Sequence, residues 1–305
     1  MVPMTGNRHP RRRRSSSRTV ALLSLALVVG AAALIADNEG PGRSTARAHE
    51  GAAPAPPAGP HAHRSGSGAG RAGRADRAAD DRAVQRVLQR TSYISVGSPR
   101  RKDVALTFDD GPGPATRRIL RILRDSHVPA TFFVVGRAVQ LDPAAVRAER
   151  QQGDVIGNHT EDHAMMGRLA PAAQQAEIRA DEEALRRAGV PSWPLFRPPY
   201  GSFSASTLSV LKSLRMLMVL WTVDTKDFSQ PGVQRIVYTA LSGARGGAIV
   251  LMHDGGGNRS ETAAALPRIL KGLRVRGFHL VTVPQLVRDD PPPRNQPPPR
   301  SLSGG

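Results

Sequence analysis

Short apolar runs recur along the chain at 104–108, 130–135, 154–157, 195–197, 217–221, 248–252 and 279–283. Between them lie stretches whose apolar residues repeat at helical spacing, at 115–125, 143–152, 172–188, 206–214, 233–241 and 263–276. Strand and helix signals in strict alternation predict an α/β fold with a parallel sheet of about seven strands. Its size suits either an open sheet or a small barrel. The polar residues that interrupt the pattern fall in telling places. Asp109, His159, Arg197, Asp224 and His253 each sit at, or just beyond, the C-terminal end of an apolar run. In parallel α/β folds that rim is where ligands bind.

The alternation occupies 103–288, enough chain for a substantial core, and a domain is set at 91–288. The formal net charge of +18 changes meaning once it is divided along the chain. Residues 103–288 hold 23 Lys and Arg against 17 Asp and Glu, leaving 20 against 8 outside, so +12 of the +18 lies in the flanking segments. With no aromatic residues interleaved among those arginines, nucleic acid is not an expected partner. Solvated tails, or attraction to an acidic lipid or wall polymer, fit better. The chain has no cysteine, which excludes thiolate metal sites, thiol nucleophiles and disulfides. Any metal must be held by nitrogen and oxygen.

The flanks carry their own signals. Residues 1–18 are basic, with Arg11, Arg12, Arg13, Arg14 and Arg18, and an uncharged apolar segment at 19–36 follows. That order describes an export signal or a single membrane anchor with its basic end inside the cell. Either reading places the domain outside the cytoplasm. Ala46-Arg47-Ala48 fits a cleavage site better than Leu34-Ile35-Ala36, but lies far downstream. Residues 37–90, rich in Ala, Gly, Pro and Arg, read as a disordered linker, with a short helix expected at 75–89 where Val84, Val87 and Leu88 share a face. Residues 289–305, with two runs of three prolines, read as a disordered tail.

The chemistry is concentrated in five segments. Thr107-Phe108-Asp109-Asp110-Gly111-Pro112 delivers two adjacent carboxylates to a turn, and neighbours at a strand end point in different directions. His159 and His163 stand four residues apart, on one helix face or in a tight loop. Two imidazoles and a carboxylate suit a borderline divalent cation such as zinc and leave positions open for water and substrate. The remaining aspartate is then free to act as a base on that water. Glu161 and Asp162, between the histidines, are expected to face solvent or to support the ligands from behind. In Phe196-Arg197-Pro198-Pro199-Tyr200-Gly201 the prolines stiffen the backbone, so that Arg197 holds a carboxylate and the Tyr200 N–H faces a substrate oxygen. Trp221 to Phe228 and Ile249 to Asp254 complete the set, with His253 a proton donor kept cationic by a carboxylate.

In this order the five segments resemble the polysaccharide deacetylase (NodB-homology) family, carbohydrate esterase family four. The resemblance implies a distorted (β/α) barrel of seven strands and one divalent metal ion, zinc most often and cobalt sometimes. It implies hydrolysis of acetyl groups on glycans such as peptidoglycan or a chitin-like N-acetylglucosamine polymer. Carried over residue by residue, Asp110, His159 and His163 are the metal ligands, Asp109 the catalytic base and Arg197 its orienter. His253 is the general acid, Asp227 its carboxylate partner, and Leu251 lines the pocket for the acetyl methyl. Tyr200, Pro199, Trp221 and Asp224 are taken as further substrate contacts. The fourth segment departs from the family pattern, which commonly ends Asp-Trp where this chain has Asp227-Phe228. That change bears on sugar preference more than on chemistry. An acetyl-xylan esterase and an inactive glycan-binding module are the alternatives, and a monomer is expected.

Overall fold

Nine parallel strands alternate with nine α-helices through residues 67–294 and 296, which the computed structural model describes. In chain order they are α1 (Ser67–Leu88), β1 (Tyr93–Ile94), β2 (Asp103–Gly111), α2 (Thr116–Asp125), β3 (Thr131–Val134), α3 (Gly136–Leu141), α4 (Pro143–Gln151), β4 (Val155–Asn158), α5 (Pro171–Arg187), β5 (Leu195–Phe196), α6 (Ala205–Ser213), β6 (Leu217–Val219), β7 (Val223–Asp224), α7 (Val233–Gly243), β8 (Ala248–His253), α8 (Ser260–Val275), β9 (His279–Val281) and α9 (Val283–Asp289). The sheet runs β1-β6-β5-β4-β3-β2-β8-β7, and β9 pairs with the start of β2. It curls into the expected distorted barrel. Across the gap between its end strands, Thr222 Oγ1 donates to the Ser95 carbonyl at 2.7 Å and Gly97 N–H donates to Gly247 at 2.7 Å.

β2 is the axis of this arrangement, because it is buried along its length and pairs with three neighbours. Its side chains alternate between two apolar layers, as the pleat requires. Leu106 and Phe108 join the layer under the helices, with Ile119 of α2 and Leu266 of α8. Ala105 joins the barrel interior, with Phe133, Phe196, Leu217 and Ile249. Thr107 and Asp109 follow Ala105 on that inner face. Burial on both faces explains why the central strands read as continuous apolar runs in the sequence.

The predicted helices are all present to within a few residues. Two strands and two helices were not expected: β1, β7, α3 and α9. The short helix expected at 75–89 is present as α1 but begins earlier, at Ser67, and its Ala83, Val84 and Val87 pack in the same cluster as Leu286 and Val287 of α9, so the disordered-linker reading of 37–90 does not hold over 67–88. The tail expectation for 289–305 fails at Gln296. Its side-chain carbonyl accepts from Ser95 N–H at 2.6 Å and Val96 N–H at 3.0 Å, and its amide donates to the Val96 carbonyl at 2.8 Å. Gln296→Ala removes the acceptor of two backbone donors beside the barrel gap. It is expected to destabilise the domain by about 1–3 kcal/mol in urea unfolding. The basic region 1–18, the apolar segment 19–36 and the linker residues 37–66 lie outside the described residues, as do 297–305. No helix among the described residues is long and apolar enough to cross a membrane.

Candidate active site

The C-terminal ends of β2, β3, β4, β5 and β8 open onto a cleft of about 730 Å³. Asp109, Asp110, His159, His163, Pro198, Tyr200, Trp221, Leu251 and His253 line it. Residues 50 to 144 positions apart in the sequence therefore meet at one rim.

Asp109 ends the inward-facing register of β2. Its Oδ1 accepts from Arg197 Nη1 at 2.8 Å, while Oδ2 lies 3.8 Å from His159 Nε2. One carboxylate oxygen is thus fixed from below and the other faces the cleft. Arg197 is completely buried and fully engaged. It donates from Nε to the Val219 carbonyl, from Nη1 to Thr107 Oγ1, and from Nη2 to the Leu220 carbonyl. Its guanidinium also lies 4.2 Å from the Phe133 ring centroid. Such a planar, many-donor group cannot be replaced by lysine without losing most of these bonds.

Asp110 turns the other way. Its backbone is left-handed, with φ 71°, at a break in the register between β2 and β3. Its Oδ1 lies 3.4 Å from His159 Nε2 and 3.1 Å from His163 Nε2. Burial acts to raise the Asp110 pKa, but the imidazoles and the charge of His253 outweigh it, so the carboxyl is held below the usual range. Gly256 passes directly behind this carboxylate with φ 69°, and a Cβ there would overlap the Asp110 side chain. Only glycine meets both demands.

The two histidines arrive on a loop, not a helix, so the second of the two expected geometries holds. Thr160 and His163 both have left-handed backbones, which bends the segment sharply enough to bring the rings to 5.1 Å between centroids. His159 Nδ1 contacts the Arg197 carbonyl at 2.7 Å, which requires the proton on Nδ1 and leaves a lone pair on Nε2. His163 Nδ1 is 3.0 Å from the Tyr200 hydroxyl. The Nε2 atoms of both rings turn to the same Asp110 oxygen, and all three ligand atoms lie within 4.8 Å of one another. Two imidazole nitrogens and a carboxylate oxygen at this spacing fit a divalent metal.

On the other side of Asp109, the paired strand β8 carries His253. Its Nδ1 is 2.8 Å from Asp227 Oδ1, and its backbone N–H donates to Asp227 Oδ2 at 2.8 Å. Thr225 and Thr262 hydroxyls also donate to Asp227, at 3.2 and 2.7 Å. Burial works to raise the Asp227 pKa, but the His253 bond and charge, with Thr262, hold it below normal. Burial works to lower that of His253, yet the bond and charge of Asp227, aided by Asp110 and Asp109, push it up to about 9. His253 is therefore a cation at neutral pH, with its outer nitrogen toward the cleft.

Two expected substrate contacts are displaced. Pro198, not Pro199, lines the cleft, because the turn at Pro199–Gly201 tucks Pro199 into the interior. Asp224 is not among the residues lining the cleft; it pairs with Lys226 and adds negative charge near Arg197. Glu161 is half-buried: Gln140 donates to its Oε1 at 2.6 Å, and its Oε2 is buried. Asp162 pairs with Arg137. Arg259 was not foreseen. It is buried at the cleft edge, and its guanidinium donates to the carbonyls of Gly255, Gly256, Phe228 and Asn258. It thereby ties the loop after His253 to the loop after Asp227. The glycine run 255–257 was the only sequence sign of a tight loop there.

Residues 96–219 match the family model described as polysaccharide deacetylase. The peptidoglycan-N-acetylglucosamine deacetylase of Bacillus cereus is 37% identical over 209 residues, covering 67% of this chain and 98% of that protein. A chitooligosaccharide deacetylase of Bradyrhizobium sp. is 37% identical over 210 residues, covering 65% and 95%. The crystal structure of the Bc1960 peptidoglycan N-acetylglucosamine deacetylase aligns with a TM-score of 0.63 at 30% identity, covering 70% of this chain and 97% of that one.

Proposed function

The chain belongs to the polysaccharide deacetylase family, and on that premise we propose that it removes acetyl groups from N-acetylglucosamine units of a cell-wall or extracellular polysaccharide. One observation carries the reading. A carboxylate fixed by a buried arginine and an imidazolium fixed by a buried carboxylate stand side by side on β2 and β8, in the same cleft as the Asp110, His159 and His163 donors. Base and acid need opposite protonation states at one pH, and each has its own charged partner to keep it there.

Asp110, His159 and His163 would hold a divalent cation, zinc in our reading, whose Lewis acidity polarises an acetyl carbonyl and acidifies water. Asp109 Oδ2 takes the proton of the water that attacks the acetyl carbon, while Arg197 keeps Oδ1 immobile. The backbone N–H of Tyr200, presented by a left-handed turn, donates to the developing oxyanion. Leu251 and Trp221 form the apolar surface against the acetyl methyl. His253 gives its proton to the departing amine nitrogen, and Asp227 stabilises the cation until that moment. Acetate and a free amine result.

The substrate class rests on the relatives named peptidoglycan and chitooligosaccharide deacetylases. An export signal or anchor at 19–36 would place the enzyme beside such polymers, with the basic flanks drawn to anionic wall components. Acetate release by the purified protein should be measured on N-acetylglucosamine oligomers, peptidoglycan and acetylated xylan. Release from the first two is expected. Release from xylan alone would make the enzyme an esterase, and release from none would favour the binding module.

A further inference from the structure

The unforeseen helix α3 forms a wall of the cleft, to which Arg137, Ala138 and Leu141 contribute. Its position follows from the sheet. In the order β3-β2-β8-β7, α3 follows β3 and Phe228 follows β7, so the two flank the Asp109-Asp110 strand end from opposite sides. Neighbouring strands are about 4.8 Å apart, which puts the two walls roughly 14 Å apart at strand level. That span exceeds one sugar ring. The wall is also tied to the site. Gly136 and Arg137 N–H groups donate to the Thr160 and Glu161 carbonyls at 3.0 and 3.1 Å, within the segment that carries both histidines.

Leu141 is the anomaly on this wall. It is 88% exposed, the most exposed large apolar side chain among the described residues. Of the five such residues, Leu141, Tyr200 and Phe228 all border this one cleft. Exposed apolar groups concentrated along a polar-floored cleft mark a surface that is covered in use. Arg137 beside it pairs with Asp162 through Nε, so the apolar contribution of this wall comes from Leu141 and Ala138.

We propose that α3 forms an accessory subsite in which Leu141 covers the apolar C–H face of the sugar next to the one that loses its acetyl group. The inference rests on the deacetylase reading and adds to it a second sugar held through a ring face. It makes the enzyme one for oligomers and polymers.

Leu141→Ser leaves the core untouched, so an unchanged melting temperature is expected. Steady-state kinetics on the N-acetylglucosamine pentamer should give KM raised about fivefold, the loss of roughly half a leucine's burial, with kcat retained. Leu141→Phe, which restores an apolar platform, should return KM to near the wild-type value. Unchanged KM in Leu141→Ser, or a fall in kcat at constant KM, would overturn the subsite. A wild-type protein that releases no acetate from the pentamer would fail differently: it would remove the deacetylase reading, and the subsite with it.

Discussion

Asp109→Asn is expected to lower kcat by about a thousandfold while leaving the metal-binding stoichiometry intact, because the proposed mechanism uses Asp109 as the base and not as a ligand. Asn keeps an oxygen for Arg197 Nη1 but cannot accept a proton from water at its second position. The same substitution leaves the Arg197 cation buried with its partner neutralised. Arg197 is wholly buried and Asp109 only 3% exposed, so a stability loss of about 3 kcal/mol accompanies the catalytic loss. Kinetics and melting are best read together with zinc content. A variant that turns over at the wild-type rate removes Asp109 from the base role. A variant that loses the metal makes it a ligand.

The second large effect concerns pH. His253 acts as an acid only while protonated, and its pKa of about 9 depends on Asp227. The basic limb of the kcat profile is therefore expected near pH 9 in the wild type. In Asp227→Asn the burial that opposes the charged form remains, while the largest opposing contributions go. The limb then moves down past the ordinary histidine range, and kcat at pH 8 falls by about a hundredfold, with the deficit narrowing toward lower pH. Stability carries the same sign. The folded pKa of His253 lies above its unfolded value, so the pair's contribution is complete below about 6.5 and is lost as pH rises through about 9. A basic limb unmoved in Asp227→Asn would separate the two residues functionally.

The chain's pattern was legible wherever one physical constraint dominated. β2, β3 and β8 are buried on both faces and so appear as unbroken apolar runs. The long helices have one buried stripe. Elements of two residues, such as β1 and β7, are defined by hydrogen bonds to distant strands and leave no periodicity of their own. α3, at six residues, is too short for a helical repeat. α9 was hidden because its capping residue Thr282, which forms a capping box with Gln285, sits inside what looked like the last strand.

The site divides in the same way. Asp109, Asp110 and His253 stand at the ends of their strands and His159 directly follows one, so position on the rim could be read from the pattern. Which member of a pair faces the cleft could not. Pro198 and Pro199 are indistinguishable until the turn at Tyr200 sets their directions. Arg259 and Gln296 act on segments far away in the chain, through carbonyl and amide groups that carry no sequence signal.

Acetate release from the N-acetylglucosamine pentamer by chelator-stripped protein, before and after one equivalent of zinc, tests the centre of this account most directly. Asp110, His159 and His163 bring their ligand atoms within 4.8 Å of one another, so turnover should vanish on stripping and return with a single equivalent. Equal turnover in the stripped and reloaded protein would contradict it.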